Sequence, residues 1–174
     1  GYRLLRNQWR QKGLPQPVGV SIAFGTMTEL SEEGVMDKYQ KEVIPALQTS
    51  DNCVKKSIDL IKSWNKITVQ AKDTPGFIVN RIARPYYGEA LRIAEEMGGD
   101  EITMRTIDMA MTAVGKYPMG PFELMDFIGH DVNYNVTEIV WRELYYDSKY
   151  KPSLSQKKLV EAGYFGKKSG KGFY

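Results

Sequence analysis

The sequence predicts a mainly α fold, an all-helical domain preceded by a shorter α/β segment. Three observations predict it. Residues 42–69 read as strand, helix, strand, which is the tail of an α/β unit. After Asp73 the character changes, and Ile78, Ile82, Tyr86, Ala90, Ala94 and Met97 recur at helical spacing. Gly and Pro then punctuate the chain at Gly98-Gly99, Gly115, Pro118, Gly120-Pro121, Gly129 and Gly163, cutting it into successive helices. The expected division is 1–72 and 73–174.

The elements follow in order. Residues 1–30 are heavily punctuated by Gly13, Pro15, Pro17 and Gly19, and only Val18 to Phe24 has a strand-like mix, ended by Gly25. Gly34 to Gln40 is polar and irregular. Glu42-Val43-Ile44 reads as a buried strand stopped by Pro45. Asp51 to Trp64 is helical, with Val54, Ile58, Leu60, Ile61 and Trp64 as its apolar stripe and Thr49, Ser50 or Asp51 as its cap. Lys66 to Val69 is the next strand. A helix with Pro75 at its first position, capped by Asp73 or Thr74, runs to Gly98-Gly99 and is kinked at Pro85. Thr103 to Val114 forms a second, with Ile107, Ala110, Met111 and Val114 on one face. Phe122 to Ile128 is short. Asp131 caps a longer helix with Val136, Ile139, Val140 and Leu144, and Ser153 or Ser155 opens the last, through Leu159 and Val160.

Composition narrows the function classes. Hydrophobic residues make up 42% and charged residues 26%, an ordinary globular balance. The formal charge of +3 lacks the clustered basic stripe of a nucleic-acid binder. The one dense basic stretch, Lys167-Lys168-Ser169-Gly170-Lys171, reads as a solvated loop, with contact to an anionic ligand as its functional reading. Cys53 is the single cysteine, so a disulfide framework within the chain is impossible, and nothing marks it as a nucleophile or ligand. No apolar run has the length of a membrane span, and no signal-peptide pattern opens the chain. A soluble cytoplasmic protein without membrane or nucleic-acid partners is the expectation, and no metal site is expected.

Four motifs carry chemistry. Asp73-Thr74-Pro75-Gly76-Phe77-Ile78-Val79-Asn80-Arg81 opens the helical region, and Tyr117-Pro118-Met119-Gly120-Pro121-Phe122-Glu123-Leu124 stands in its middle with Asp126 and Gly129 following. The chain ends on Gly166-Lys167-Lys168-Ser169-Gly170-Lys171-Gly172-Phe173-Tyr174, and Glu42-Val43-Ile44-Pro45 with Thr49-Ser50 lies upstream. In this order they resemble the signatures of the 3-hydroxyacyl-CoA dehydrogenases, over about Lys41 to Tyr174. Ile128-Gly129-His130-Asp131-Val132-Asn133 and Ser148-Lys149-Tyr150-Lys151-Pro152-Ser153 look like the bacterial 3-hydroxybutyryl-CoA and phenylacetate-pathway members. The resemblance implies a helical C-terminal domain of the 6-phosphogluconate-dehydrogenase-like type, behind the end of a Rossmann domain.

It also implies a chemistry. Hydride passes between C3 of an acyl-CoA and the nicotinamide of NAD while a histidine, oriented by a glutamate, moves the hydroxyl proton. Glu42 occupies the glutamate's place. Asn80 occupies that of an asparagine bonded at the reacting centre, where an amide donates and accepts without net charge. Met119, Gly120 and Pro121 fall in the substrate-binding signature. Read without the resemblance, Glu42 is an edge-strand residue, Asn80 a polar group at a helix–helix contact and Met119 core packing.

The sequence departs from the family pattern in three places. Thr26 to Leu30, where the family carries its histidine in a His-Phe-Phe-Asn context, has none. The only histidine, His130, lies far downstream and reads as a surface or helix-start residue. Gly19 to Gly25 lacks the GxGxxG cofactor spacing, so no cofactor-binding residue is identifiable, and the catalytic serine has no counterpart. The expectation is a C-terminal part of an enzyme that oxidises (S)-3-hydroxyacyl-CoA in fatty acid or phenylacetate degradation, inactive alone, its NAD held by a preceding domain. The competing reading is a structural dimerisation module without catalysis. A homodimer is expected through the helical domain, because Phe77, Ile78, Val79, Ile82, Tyr86, Tyr87, Leu91 and Ile93 cover more than half of the kinked helix and the cluster Trp141, Tyr145, Tyr146 adds to them.

Overall fold

The structure, a computed structural model, describes residues 20–24 and 40–174. The expectations for 1–19 and 25–39, including the irregular stretch that begins at Gly34 and the histidine-free Thr26 to Leu30, lie outside the described residues. The chain divides into two compact units, 1–79 and 80–174, with the division a few residues beyond the sequence-based boundary.

In the first unit β1 (Val20–Phe24) pairs antiparallel with β2 (Gln40–Pro45), and β2 pairs parallel with β3 (Ile67–Gln70). The parallel pair is joined through α1 (Asp51–Ser63), the crossover that parallel strands require. Ser50 is the cap: its hydroxyl accepts from the Cys53 N–H. Val54, Ile58 and Ile61, spaced four and three apart, face Val43 and form the small core. Leu60 and Trp64, expected in the same stripe, are half exposed. Leu60 lies about 100° round the helical wheel from the neighbouring Ile61, outside the buried arc, and Trp64 stands past the last turn as the C-cap.

The second unit is helical: α2 (Val79–Glu96, whose first residue belongs to the first unit), α3 (Glu101–Ala113), α4 (Pro121–Ile128), α5 (His130–Glu143) and α6 (Leu154–Glu161), with 3-10 turns at Ser148–Tyr150 and Lys167–Ser169. α2 starts four residues later than Pro75 suggests. Thr74 to Phe77 close a turn instead, with the Phe77 N–H donating to the Thr74 carbonyl and both Gly76 and Phe77 at positive φ. Pro85 sits inside α2 and leaves the Arg81 carbonyl without its helical donor. The buried face of α2 is Tyr87, Ala90, Leu91 and Ala94, packed on Phe122 and Met125 of α4. Ile82 and Met97, expected in the same stripe, are about two-thirds exposed, so the face lies round the helix from the one the spacing suggests. Glu95 fastens the far end of α2 to α6, accepting from the Ser153 and Ser155 hydroxyls at 2.7 Å each.

The remaining helix ends follow from local chemistry. Asp100 caps α3 two residues earlier than read from sequence, accepting from the Thr103 N–H at 2.7 Å. On α3 the packed residues are Met104 and Ile107, while Ala110 and Val114 are exposed. Gly129, not Asp131, holds the N-cap position of α5, and Ser153 caps α6. The cluster Trp141, Tyr145 and Tyr146 is not core: Tyr145 and Tyr146 are largely exposed, and Tyr146 stacks edge-on with Trp141.

Glycine positions in the C-terminal segment separate two causes. Gly166 has φ 80° and ψ −145°, a region only glycine occupies, and a Cβ there would lie under 3 Å from backbone atoms of Asp126. Gly163 has φ 74° but open space around the same position. Gly166→Ala is therefore expected to destabilise by more than about 3 kcal/mol and Gly163→Ala by only about 1 kcal/mol. Urea midpoints at unchanged m-value check the difference.

Candidate functional site

Glu42 lies in the middle of β2, opposite Ala23 of β1 and Val69 of β3, and is buried. Its Oε1 accepts from two successive backbone N–H groups, Ile78 at 2.9 Å and Val79 at 3.0 Å. Those amides belong to the start of α2, whose first N–H groups have no helical partner. The strand carboxylate thus holds the end of the turn within the first unit, where unpaired N–H groups favour a negative charge. The edge-residue reading of Glu42 does not hold: β2 is the central strand of three, and the side chain anchors the DTPGFIVN turn.

Asn80 stands in the second unit, half-buried on the first turn of α2. One turn on, Arg84 donates from Nη2 to Asn80 Oδ1 at 3.4 Å, at the long limit of a hydrogen bond. Arg84 is only 6% exposed. Its Nη1 donates to the Asn133 carbonyl at 2.8 Å and the Thr137 hydroxyl at 3.0 Å, and its guanidinium lies over the Tyr87 ring. Burial lowers its pKa from the usual arginine value, while the nearby Tyr87 acts the other way. Nε of Arg84 is buried with no partner among the described residues.

The polar chain continues inward. Asn133 Oδ1 accepts from Gln156 Nε2 at 3.1 Å, and the same nitrogen is 3.3 Å from His130 Nδ1. His130 Nε2 is 2.6 Å from Asp126 Oδ1. With Gln156 donating to Nδ1, the proton belongs on Nε2 facing the carboxylate, an assignment made from the network. His130 is fully buried, against the expectation of a surface residue, with its ring edge-on to Phe173 at 4.6 Å. It is a packing and hydrogen-bonding residue at the start of α5, and Asp126 one turn back is the reason it can be buried.

Two carboxylates organise the signature segments. Asp108 of α3 accepts from the Phe122 and Glu123 N–H groups at 2.9 and 2.8 Å, capping α4 from a neighbouring helix, and also from the Tyr174 hydroxyl at 2.9 Å. Gly120 has no side chain because a Cβ would lie under 3 Å from Asp108, and Pro121 takes the first helical position, where no N–H is needed. Asp126 accepts from the Phe173 and Tyr174 N–H groups at 2.9 and 3.1 Å as well as from His130. Gly172 is pressed against its carboxylate.

The expected substrate residues divide accordingly. Gly120 and Pro121 are buried and build the turn. Met119 is half-buried, its carbonyl held by the Tyr86 hydroxyl at 2.9 Å. Burial and the nearby Asp108 carboxylate push the Tyr86 phenol well above the usual tyrosine range, so it stays a donor. Sequence reasoning missed Arg84, Asp108, His130 and Gln156. Only Arg84 had a legible signal, a charge one turn from Asn80 inside an apolar run. A cleft of about 680 Å³ opens between α3, α4 and the C-terminal segment, lined in part by Arg105, Glu123 and Lys167, but neither Asn80 nor Met119 lines it.

No dinucleotide cradle is present among the described residues. The turn from β2 to α1, 46–50, contains no glycine, and α1 begins with Asp51, whose charge opposes a pyrophosphate. These residues do not fit NAD.

Comparison with known proteins follows the same lines. The family model described as 3-hydroxyacyl-CoA dehydrogenase, C-terminal domain, matches residues 76–174. The 3-hydroxyadipyl-CoA dehydrogenase of Escherichia coli strain K12 is 46% identical over 134 residues, 76% of this chain and 27% of that protein. The mitochondrial hydroxyacyl-coenzyme A dehydrogenase of Homo sapiens is 43% identical over 134 residues, 76% of this chain and 41% of that protein. The crystal structure of 3-hydroxybutyryl-CoA dehydrogenase from Escherichia coli K12 superposes with a TM-score of 0.76 at 39% identity, covering 89% of this chain and 31% of that one. The chain thus spans less than half the length of these relatives.

The Asp126 cluster has a pH signature. Burial pushes this carboxyl up, but the bonds from His130, Phe173 and Tyr174 outweigh it and hold its pKa below the usual aspartate value. A depressed folded-state pKa contributes stability that is fully present above the ordinary carboxylate range and is lost as pH falls through the folded value. Between about pH 5 and pH 2 the melting temperature is expected to fall more steeply for the native sequence than for Asp126→Asn, read by thermal melts at closely spaced pH. Parallel slopes would remove Asp126 from the acid response.

Proposed function

We infer the function from one premise: the chain belongs to the 3-hydroxyacyl-CoA dehydrogenase family, by its C-terminal domain. We propose that the full-length protein is an oxidoreductase that oxidises (S)-3-hydroxyacyl-CoA to 3-oxoacyl-CoA with NAD, in fatty acid or phenylacetate degradation, as a soluble cytoplasmic enzyme. No described helix is long and apolar enough to cross a membrane. The observation that carries the proposal is the position of Asn80, half-buried on the first turn of α2 with its carbonyl oxygen taken by Arg84. That bond leaves the amide N–H groups to donate to an oxygen at the reacting carbon. The dinucleotide belongs to a domain outside the described residues, and this chain alone is proposed to be inactive.

Each of these residues has a proposed role. Asn80 supplies a hydrogen bond that strengthens as charge develops on the C3 oxygen. Met119 borders the acyl-CoA, while Gly120 and Pro121 fix the turn that presents it. Glu42 uses Oε1 to hold the start of α2, and its second oxygen is proposed to orient the general-base histidine of the family. In the full-length protein Asn80→Ala is expected to lower kcat by roughly 100- to 1000-fold with a melting temperature near the native one, by analogy with other oxyanion donors. Glu42→Gln is expected to lower both activity and stability, since a neutral amide holds the α2 amides less well than a carboxylate does. Steady-state rates with 3-hydroxybutyryl-CoA and NAD, beside thermal melts, separate the two.

A homodimer through the helical unit is part of the proposal. Tyr87 and Leu91, counted in the expected patch, are consumed by the unit's own core, but Ile93, Met97, Ile102 and Met109 stay between 45% and 76% exposed on and beside α2 and α3. These are the side chains a second copy is proposed to cover. Sedimentation equilibrium of the full-length protein is expected to give the dimer mass, and Ile102→Asp with Met109→Asp to shift it toward the monomer. A monomer mass for the unsubstituted protein at every concentration sinks the dimer.

A further inference from the structure

Arg84 is a buried charge without a counter-charge. It is only 6% exposed, and no carboxylate among the described residues pairs with it. Its acceptors are neutral: the Asn133 carbonyl and the Thr137 hydroxyl on Nη1, and the Asn80 side-chain oxygen on Nη2 at the long limit of a bond. Nε has no partner among the described residues. The Tyr87 ring offers its face, a weak attraction beside that of a full anion. A cation taken out of water needs more than this to offset its lost hydration.

Arg84 also lines a cavity of about 10 Å³. Lys149 and Lys151, both exposed, line it too, and no lining residue is acidic. Ser153 is a further lining residue, but its hydroxyl is given to Glu95, which does not line the cavity. Three cations around one small space repel one another. A water there satisfies a donor but leaves the repulsion in place. An anion answers both.

The size of the cavity restricts the anion. It admits one water-sized group. Phosphate, sulfate and carboxylates each have too many atoms to enter, which leaves a monoatomic ion. A chloride ion is slightly larger than a water oxygen, and the two exposed lysine side chains are free to give way by that little.

We propose that this cavity binds a single monoatomic anion, chloride in ordinary salt, held by Arg84 from within and by Lys149 and Lys151 from the solvent side. The anion supplies the counter-charge that Arg84 lacks, so it stabilises the folded chain according to its occupancy. The site consists of second-unit residues alone and is independent of the dehydrogenase reading.

The test melts the full-length protein in sodium chloride, sodium bromide and sodium gluconate at equal ionic strength. General screening is then the same in all three, and gluconate is too large for the cavity. Chloride and bromide are expected to raise the melting temperature by about 2–4 °C over gluconate, with a shift that saturates as the halide concentration rises. Arg84→Met is expected to abolish the shift. Lys151→Met, at an exposed position with little bearing on folding, is expected to raise the halide concentration needed for half the shift severalfold. Crystals grown in bromide are expected to show a bromide ion within hydrogen-bond reach of Arg84. Equal melting in halide and gluconate overturns the proposal and leaves the cavity to water. A halide shift unchanged in Lys151→Met and in any folded Arg84 variant overturns it too, as does a bromide-grown crystal with no bromide at Arg84.

Discussion

The helical unit depends on the buried carboxylate of Asp126. It sits near the end of α4 and binds the ring of His130 at the start of α5 and the backbone of Phe173 and Tyr174. A carboxylate removed from water without partners costs several kcal/mol. Three donors, each worth roughly 1.5–3 kcal/mol to a charged acceptor, offset that cost and turn it into a constraint. The constraint runs outward: Gly172 and Gly166 must lack side chains because they touch Asp126, and Phe173 is drawn in edge-on against Phe122 and His130. The C-terminal segment is thereby a structural part of the unit, with the Tyr174 hydroxyl returning to Asp108 and through it to the start of α4.

One helix then carries several of the interlocked polar residues. α2 bears Asn80, Arg84 and Tyr86 within two turns, and each is held by a different neighbour. Arg84 holds Asn80 and is itself held by α5, while Tyr86 reaches the Met119 carbonyl before α4. Pro85 falls between these residues, where the missing N–H weakens the helix's own ladder. The bonds from Arg84 to α5 and from Tyr86 to Met119 replace local helical strength with tertiary contacts.

Much of the fold was legible because it rests on local chemistry. Ser50 and Ser153 as caps, Gly98-Gly99 and Gly163 as terminators, and the strand–helix–strand order are each fixed by a few adjacent residues. Misreadings occurred where a distant partner overrides the local signal. Pro75 looks like a helix start, but positive φ at Gly76 and Phe77 turns the chain, and Glu42 receives the helix two residues later. His130 looks like a surface residue until Asp126 and Gln156 surround it, and the spacing of α2 cannot tell which face meets Phe122 and Met125. Of the candidate site, Glu42 and Asn80 were singled out through motif resemblance and not through physics. Their partners, the α2 amides and Arg84, belong to contacts that no spacing rule specifies.

The polar relay between Asp126 and Arg84 is neutral in its middle. His130 faces Gln156 through an acceptor nitrogen, and Gln156 and Asn133 carry amides without charge. This arrangement keeps the negative charge of Asp126 apart from the positive charge of Arg84. An amide at Gln156 orders these hydrogen bonds without adding a charge. The unit has thus used its one buried histidine–carboxylate pair for its own cohesion, and kept its one buried cation, one turn from Asn80, facing a cavity the size of a single oxygen.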